Sequence, residues 1–228
     1  MININSSRVK EIATQLGAEK CGIADINRFG DAPEGFHPRD TYPKTASVIV
    51  FLKSMPADII MCPNPVPYTS AAYLIYSEID RIGLSLTRHL GEHRVGAVPV
   101  PCDTPYLRWN SETCHGQGIL SMRHSGVLAG LGYLGRNTLL INRELGNMVY
   151  IGAVLADHPF EPDPVISDEC PSGCSICIDS CPQSALTGKT VIQKLCRAKS
   201  LFRTERGFDL YNCSRCRQSC PRRLGYRE

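Results

Sequence analysis

Cysteine is concentrated at the C-terminal end of this chain. The first run reads Cys170-x3-Cys174-x2-Cys177-x3-Cys181-Pro182. The second reads Cys213-x2-Cys216-x3-Cys220-Pro221, with Cys196 alone between the two. Eight of the twelve cysteines fall after Glu169, a density that means either disulfides or metal. The first ten residues lack the charged-then-apolar order of a signal peptide, and no apolar run approaches the ~20 residues of a membrane span. A cytoplasmic location with no membrane contact is therefore expected. In that reducing setting, clustered thiolates at short regular spacings bind metal.

The spacing is close to the two-cluster bacterial ferredoxin pattern, C-x2-C-x2-C-x3-C-P, in which the last cysteine of each run ligates the other cluster. Short spacings wrap one turn of chain around one face of a cube, and the proline turns the chain away. Under that crossing rule Cys170, Cys174 and Cys177 take Cys220 as fourth ligand. Cys196, Cys213 and Cys216 take Cys181. Eight cysteines then make two complete 4Fe–4S sites. The first run carries one extra residue, which Gly173 can absorb in a tight turn. Two structural four-cysteine zinc sites are the alternative, although zinc ribbons do not need the doubled x3-Cys-Pro ending.

Ten Lys or Arg lie between Lys194 and Glu228 against three acids. Cations there offset the negative charge of thiolate-ligated clusters, and they also suit docking of an acidic, low-potential electron donor such as ferredoxin or flavodoxin. Over the whole chain of 228 residues the balance is only +3, which argues against a nucleic-acid binder.

Upstream, the pattern predicts what must position these thiols. Val9, Ile12, Ala13 and Leu16 recur at helical spacing before Gly17. A strand is expected at Cys21–Ile26, a loop at Asp31–Pro43, and a strand buried on both faces at Ala46–Leu52. A second loop, Pro56–Pro67, precedes a long helix marked by Ile75, Ile79, Ile82, Leu86 and Leu90 and ended by Gly91. Val95–Val98 reads as a strand closed by Pro99, and Ser121–Leu131 as a helix. Thr138–Asn142 and Met148–Leu155 read as a hairpin turning at Gly146 and Asn147. His158–Glu169, with three prolines and four acids, reads as a linker. The expectation is an α+β protein: an α/β cofactor and substrate domain over residues 1–160, then a ferredoxin-like module with two clusters over 161–228.

Gly130-x-Gly132-x-x-Gly135 matches the dinucleotide-binding pattern, which needs a strand before it and a helix after it. Here the order is inverted, so a nicotinamide site is not expected. The glycines instead let backbone pass close to a packed helix or a flat cofactor.

With these residues laid out, the chain resembles epoxyqueuosine reductase and, more distantly, the corrinoid reductive dehalogenases. The resemblance is carried by Ala129-Gly-Leu-Gly-Tyr-Leu-Gly-Arg-Asn-Thr-Leu-Leu-Ile-Asn142, by Leu145-Gly146, by the opening Leu16-Gly-Ala-Glu-Lys-Cys-Gly-Ile-Ala24 and by the cysteine ladder. It implies a flavin-reductase-like α/β domain that binds cobalamin base-off near one cluster, with electrons passing from donor through both clusters to cobalt. By match to the glycine segment, Gly130, Gly132, Arg136 and Asn137 are the implied corrinoid contacts. Asp103, in Asp103-Thr-Pro105, is the implied proton donor, a role that needs a raised pKa.

The resemblance implies a reductase acting on a small or nucleoside-like molecule. The tRNA-modifying enzyme has a further C-terminal helical-repeat domain, and this chain ends seven residues after Pro221. A small-molecule substrate or a corrinoid on another protein is therefore expected rather than tRNA. The alternative is an electron-transfer protein that handles a corrinoid, or FMN, for a partner. Related folds often dimerise, so a homodimer is a further expectation. Tyr106, Tyr133, Tyr150 and the pair Cys114-His115 could also do chemistry, but each reads first as packing, as do Cys21, Cys62 and Cys102.

Overall fold

The computed structural model describes residues 4–106 and 108–226. Its centre is a four-stranded sheet in the order β1-β2-β8-β3, antiparallel throughout. The strands are β1 (Lys20–Asp25), β2 (Ser47–Ser54), β3 (Ala97–Val100) and β8 (Val149–Ala156). The run expected to be buried on both faces is β2, whose first six residues are all buried. Alternation along it explains why. Ile49 and Phe51 face one core with Val9, Ile12, Ile79 and Leu86. Val48, Val50 and Leu52 face a second core with Leu131, Leu140 and Ile151.

Helix α1 (Ser6–Gln15) and helix α3 (Pro65–Glu92) cover the first face, and α4 (Met122–Leu128) covers the second. Between them a short helix, α2 (Pro38–Thr41), interrupts the expected loop. It is capped by His37, whose ring accepts from the Arg39 amide, with Asp40 bonding back to the His37 amide. Gly17, at φ 109°, ends α1 as expected.

Helix α3 begins two residues before Pro67, because prolines in the first turn lack only amides that would have no helical partner. Asn64 caps it, accepting from the Val66 amide at 2.9 Å. It also runs past Gly91 to Glu92. Pro99 lies inside β3 rather than closing it, which an edge strand tolerates.

The expected hairpin does not form. Its turn does: Asn142 and Gly146 exchange backbone bonds, and the Asn142 side chain accepts from the amides of Glu144 and Leu145 at 3.0 Å. Beyond the turn the strands part. Leu140–Ile141 (β7) pairs with Tyr133–Leu134 (β6), while β8 inserts between β2 and β3. A strand this apolar needs cover on both faces, and only the sheet centre supplies it. An exposed hairpin, β4 (Arg108–Asn110) with β5 (His115–Gln117), carries Trp109 and the Cys114-His115 pair.

Past β8 the chain is strapped back rather than hanging as a free linker. Asp163 accepts from Lys10 Nζ at 2.7 Å and from the Ile23 amide at 2.9 Å. The cysteine segment follows with α5 (Ile176–Asp179), α6 (Gln193–Ser200), the hairpin β9 (Leu201–Arg203) with β10 (Asp209–Tyr211), and α7 (Arg215–Gln218). Its two runs echo each other as Ser-x-Cys-x-x-Ser-Cys-Pro, at 175–182 and 214–221. Equivalent serines meet: Ser180 Oγ and Ser219 Oγ are 2.8 Å apart. Like residues touching like is the mark of a local two-fold arrangement, so α5 and α7 pack as counterparts.

Candidate cluster and cofactor site

The thiols separate into two groups of four. Cys177 is pushed up first by burial and then by Cys220, Cys170 and Cys174. Burial also raises Cys220, with Cys170 and Cys174 adding to it. Cys216 is pushed up to about 11 by burial; Arg217 opposes that, and Cys196, Cys213 and Cys181 reinforce it. Each final cysteine of a run thus stands with the other run's thiols. Cys170, Cys174, Cys177 and Cys220 ring a small cavity. Cys181, Cys196, Cys213 and Cys216 ring another of about 200 Å³.

A single zinc with ~2.3 Å bonds would draw four sulfurs to about 3.8 Å from one another. Among the described residues no three His, Cys, Asp or Glu side chains converge on a single-ion site. The extra residue of the first run sits in an open turn, with Gly173 at φ 71° and nothing within 4 Å of where a Cβ would be.

The glycine segment bridges these groups. The Arg136 amide donates to Cys170 Sγ at 3.4 Å, and its guanidinium donates to the Cys174 carbonyl at 2.8 Å. Asn137 Nδ2 donates to the Cys216 carbonyl at 3.2 Å. Gly130, at φ 72°, lies against the Pro164 carbonyl, and Gly132, at φ 155°, against that of Ile141. A side chain at either would strike backbone. The contacts of all four residues therefore run to the chain itself, and those of Arg136 and Asn137 to the thiol groups.

A cavity of about 430 Å³ adjoins the second group through Cys213. Tyr68, Tyr211, Asn212, Gln218, Lys199 and Arg215 supply its polar atoms, and no acid lines it. Cys62 also reaches it. Behind Tyr211 lies a set of tyrosines: Tyr76 Oη is 3.4 Å from Tyr211 Oη, and Tyr150 Oη donates to Tyr68 Oη at 3.4 Å.

Asp103 neighbours this set: burial is the main cause that raises Tyr76 and Tyr211, and the Asp103 charge adds to both. The residue is exposed, yet its carboxyl rises above the ordinary value, chiefly by desolvation, with Arg197 opposing and Asp80 adding. Arg197 stacks over Trp109 at 5.2 Å. Tyr133 is buried and accepts from Arg222 at 2.7 Å, a packing role. The sequence reading missed Tyr76, Tyr211, Asn147 and Arg217. The last had a usable signal, since it lies between two cysteines of the second run.

No protein-family model matches the chain. Over 118 residues it is 41% identical to epoxyqueuosine reductase of Staphylococcus aureus, covering 47% of this chain and 31% of that protein.

This chain resembles the epoxyqueuosine reductases.

The solved epoxyqueuosine reductase of Streptococcus thermophilus superposes with a TM-score of 0.68 at 18% identity, over 96% of this chain and 66% of that one. Another epoxyqueuosine reductase, solved with an epoxyqueuosine-modified tRNA-Tyr stem loop, gives 0.64 at 19% identity, over 97% and 66%. A reductive dehalogenase solved in connection with B12-dependent dehalogenation gives 0.59 at 17%, over 78% and 25%. At these identities the structures establish the mixed α+β fold. The matched stretch spans under a third of the length of the Staphylococcus aureus protein. Among its described residues no helix is long and apolar enough to cross a membrane.

Proposed function

We propose that this chain is an oxidoreductase that holds two 4Fe–4S clusters in crossed cysteine quartets and a corrinoid beside the second, and reduces a small or nucleoside-like substrate. The observation that carries the reading is the crossed sorting of eight thiols into two fours. The fit has a second support. Asn147 is fully buried, and both its carboxamide atoms lack a partner. It lies beside Cys220, so a ligand thiolate there would satisfy a donor that is otherwise costly to bury. Residues 1–160 would form the cofactor and substrate domain and 161–228 the cluster module.

Clusters would supply one-electron storage, and the corrinoid a cobalt centre able to pass electrons to an organic substrate. The 430 Å³ cavity suits part of a corrinoid: amide and hydroxyl donors for its propionamides, and Lys199 and Arg215 for its phosphate. Arg136 and Asn137 then hold the clusters against the sheet domain. Asp103 is the proposed proton donor, since its raised carboxyl keeps a proton to higher pH. A low-potential ferredoxin or flavodoxin is the proposed electron source. The expectation against tRNA is revised: a relative was solved with a tRNA stem loop, so a modified nucleoside within tRNA joins the proposed substrates.

The test is an anaerobic titration of iron–sulfur-reconstituted protein with hydroxocobalamin, reduced and followed by electron paramagnetic resonance. A base-off cobalt signal that saturates at equal amounts of corrinoid and protein supports the reading. Intact clusters with only free-type cobalamin, or with bound flavin, overturn the corrinoid part.

A further inference from the structure

Arg217 is a buried cation, 9% exposed, between the ligand cysteines Cys216 and Cys220. Its guanidinium donates to the Asn147 carbonyl and stacks over the Tyr150 ring at 5.3 Å. None of the ion pairs among the described residues includes it. A guanidinium held out of water without an acid is costly unless another anion faces it. With a cluster bound, the negative group on hand is the Cys216 thiolate, which Arg217 favours against the cost of burial. Asn147 has the complementary position. Its carbonyl receives Arg217, while its buried carboxamide, with neither atom partnered, lies beside Cys220 in the other quartet.

Reduction adds one negative charge to a cluster. A nearby cation, or an N–H donor to a ligand sulfur, stabilises the reduced form and raises its potential. We propose that Arg217 and Asn147 set the two cluster potentials separately: Arg217 raises the second through its charge beside Cys216, and Asn147 raises the first by donating Nδ2–H to Cys220 Sγ. The first quartet also has Arg136, whose amide donates to Cys170 Sγ and whose guanidinium donates to the Cys174 carbonyl, so the two potentials are set by different groups. This inference rests on the two-cluster reading above.

The experiment is a redox titration of the reconstituted full-length chain, followed by electron paramagnetic resonance, for wild type, Arg217→Gln, Arg217→Lys and Asn147→Leu. In Arg217→Gln one wave falls by at least the ~59 mV of a tenfold change in a one-electron equilibrium, and the other stays. Arg217→Lys keeps the charge and leaves both waves in place. Asn147→Leu lowers the wave that Arg217→Gln left alone. Should Arg217→Gln fail to hold both clusters, the lysine and Asn147 variants still decide the matter. Unmoved waves, one wave moved by both variants, or a lysine variant shifted as far as glutamine overturn the inference. A chain that takes up no iron and sulfide overturns the reading beneath it instead.

Discussion

The side chain of Asn137 donates to the backbone carbonyl of Cys216 at 3.2 Å, joining the glycine segment to a cysteine 79 positions away. The same side chain accepts from the Leu139 amide at 3.1 Å. It is 3% exposed, so water cannot replace it. Asn137→Ala leaves a carbonyl and an amide unpaired and is expected to cost about 1–3 kcal/mol. The urea midpoint of cluster-loaded protein reads this directly, and an unchanged midpoint contradicts the tie.

Gly146, at φ 65°, is where the turn before β8 meets the segment after Cys220, and a Cβ there would strike the carbonyls of Arg222 and Arg223. Gly146→Ala combines left-handed backbone strain with backbone displacement, together about 2 kcal/mol or more. The expected outcome is lower thermal stability with partial loss of iron, because Cys220 is displaced. Iron analysis after gel filtration checks it.

Asp103 gives a pH signature. Its folded pKa is raised, so its contribution to stability is fully present below the ordinary carboxylate pKa and is lost as pH rises through the raised value. Solvent access keeps the effect small. Asp103→Asn should flatten the stability curve across that interval and leave neutral-pH stability equal or slightly higher, while turnover falls with cluster content intact. Thermal unfolding at several pH values separates the two proteins; parallel curves contradict the assignment.

Asp163 holds the segment after β8 to the sheet domain through Lys10 and the Ile23 amide. Asp163→Ala is expected to destabilise by about 1–2 kcal/mol without changing iron content. Chemical denaturation with an iron assay tests both halves of the statement.

Much of this was legible because the signals are local. Cysteine spacing with a crossing rule sorts the eight thiols into the same two groups that ring the two cavities, and the apolar run of β2 and the stripe of α3 gave the core. Pairing was less legible. Val149–Ala156 reads equally well as half a hairpin or as a central strand, and only the β2 and β3 neighbours decide between them. Prolines disguised the start of α3, since the same residues that end a helix are harmless in its first turn. Gly130 and Gly132 signalled close approach, and a Cβ at either would meet the chain's own backbone at Pro164 and Ile141. Arg217 was hidden among ten cations that share one sequence neighbourhood; burial, not charge, distinguishes it.

The central claim is that each quartet draws its fourth thiolate from the other cysteine run. It is tested most directly by iron and acid-labile sulfide counts on reconstituted Cys220→Ser, Cys174→Ser, Cys181→Ser and Cys213→Ser, each paired with electron paramagnetic resonance of the surviving cluster. Crossed ligation predicts about eight irons in the wild type and about four in each variant. It also predicts that Cys220→Ser shares its surviving signal with Cys174→Ser, and Cys181→Ser shares its own with Cys213→Ser. If Cys220→Ser instead matches Cys213→Ser, or if the bound metal is zinc without sulfide, the account is wrong.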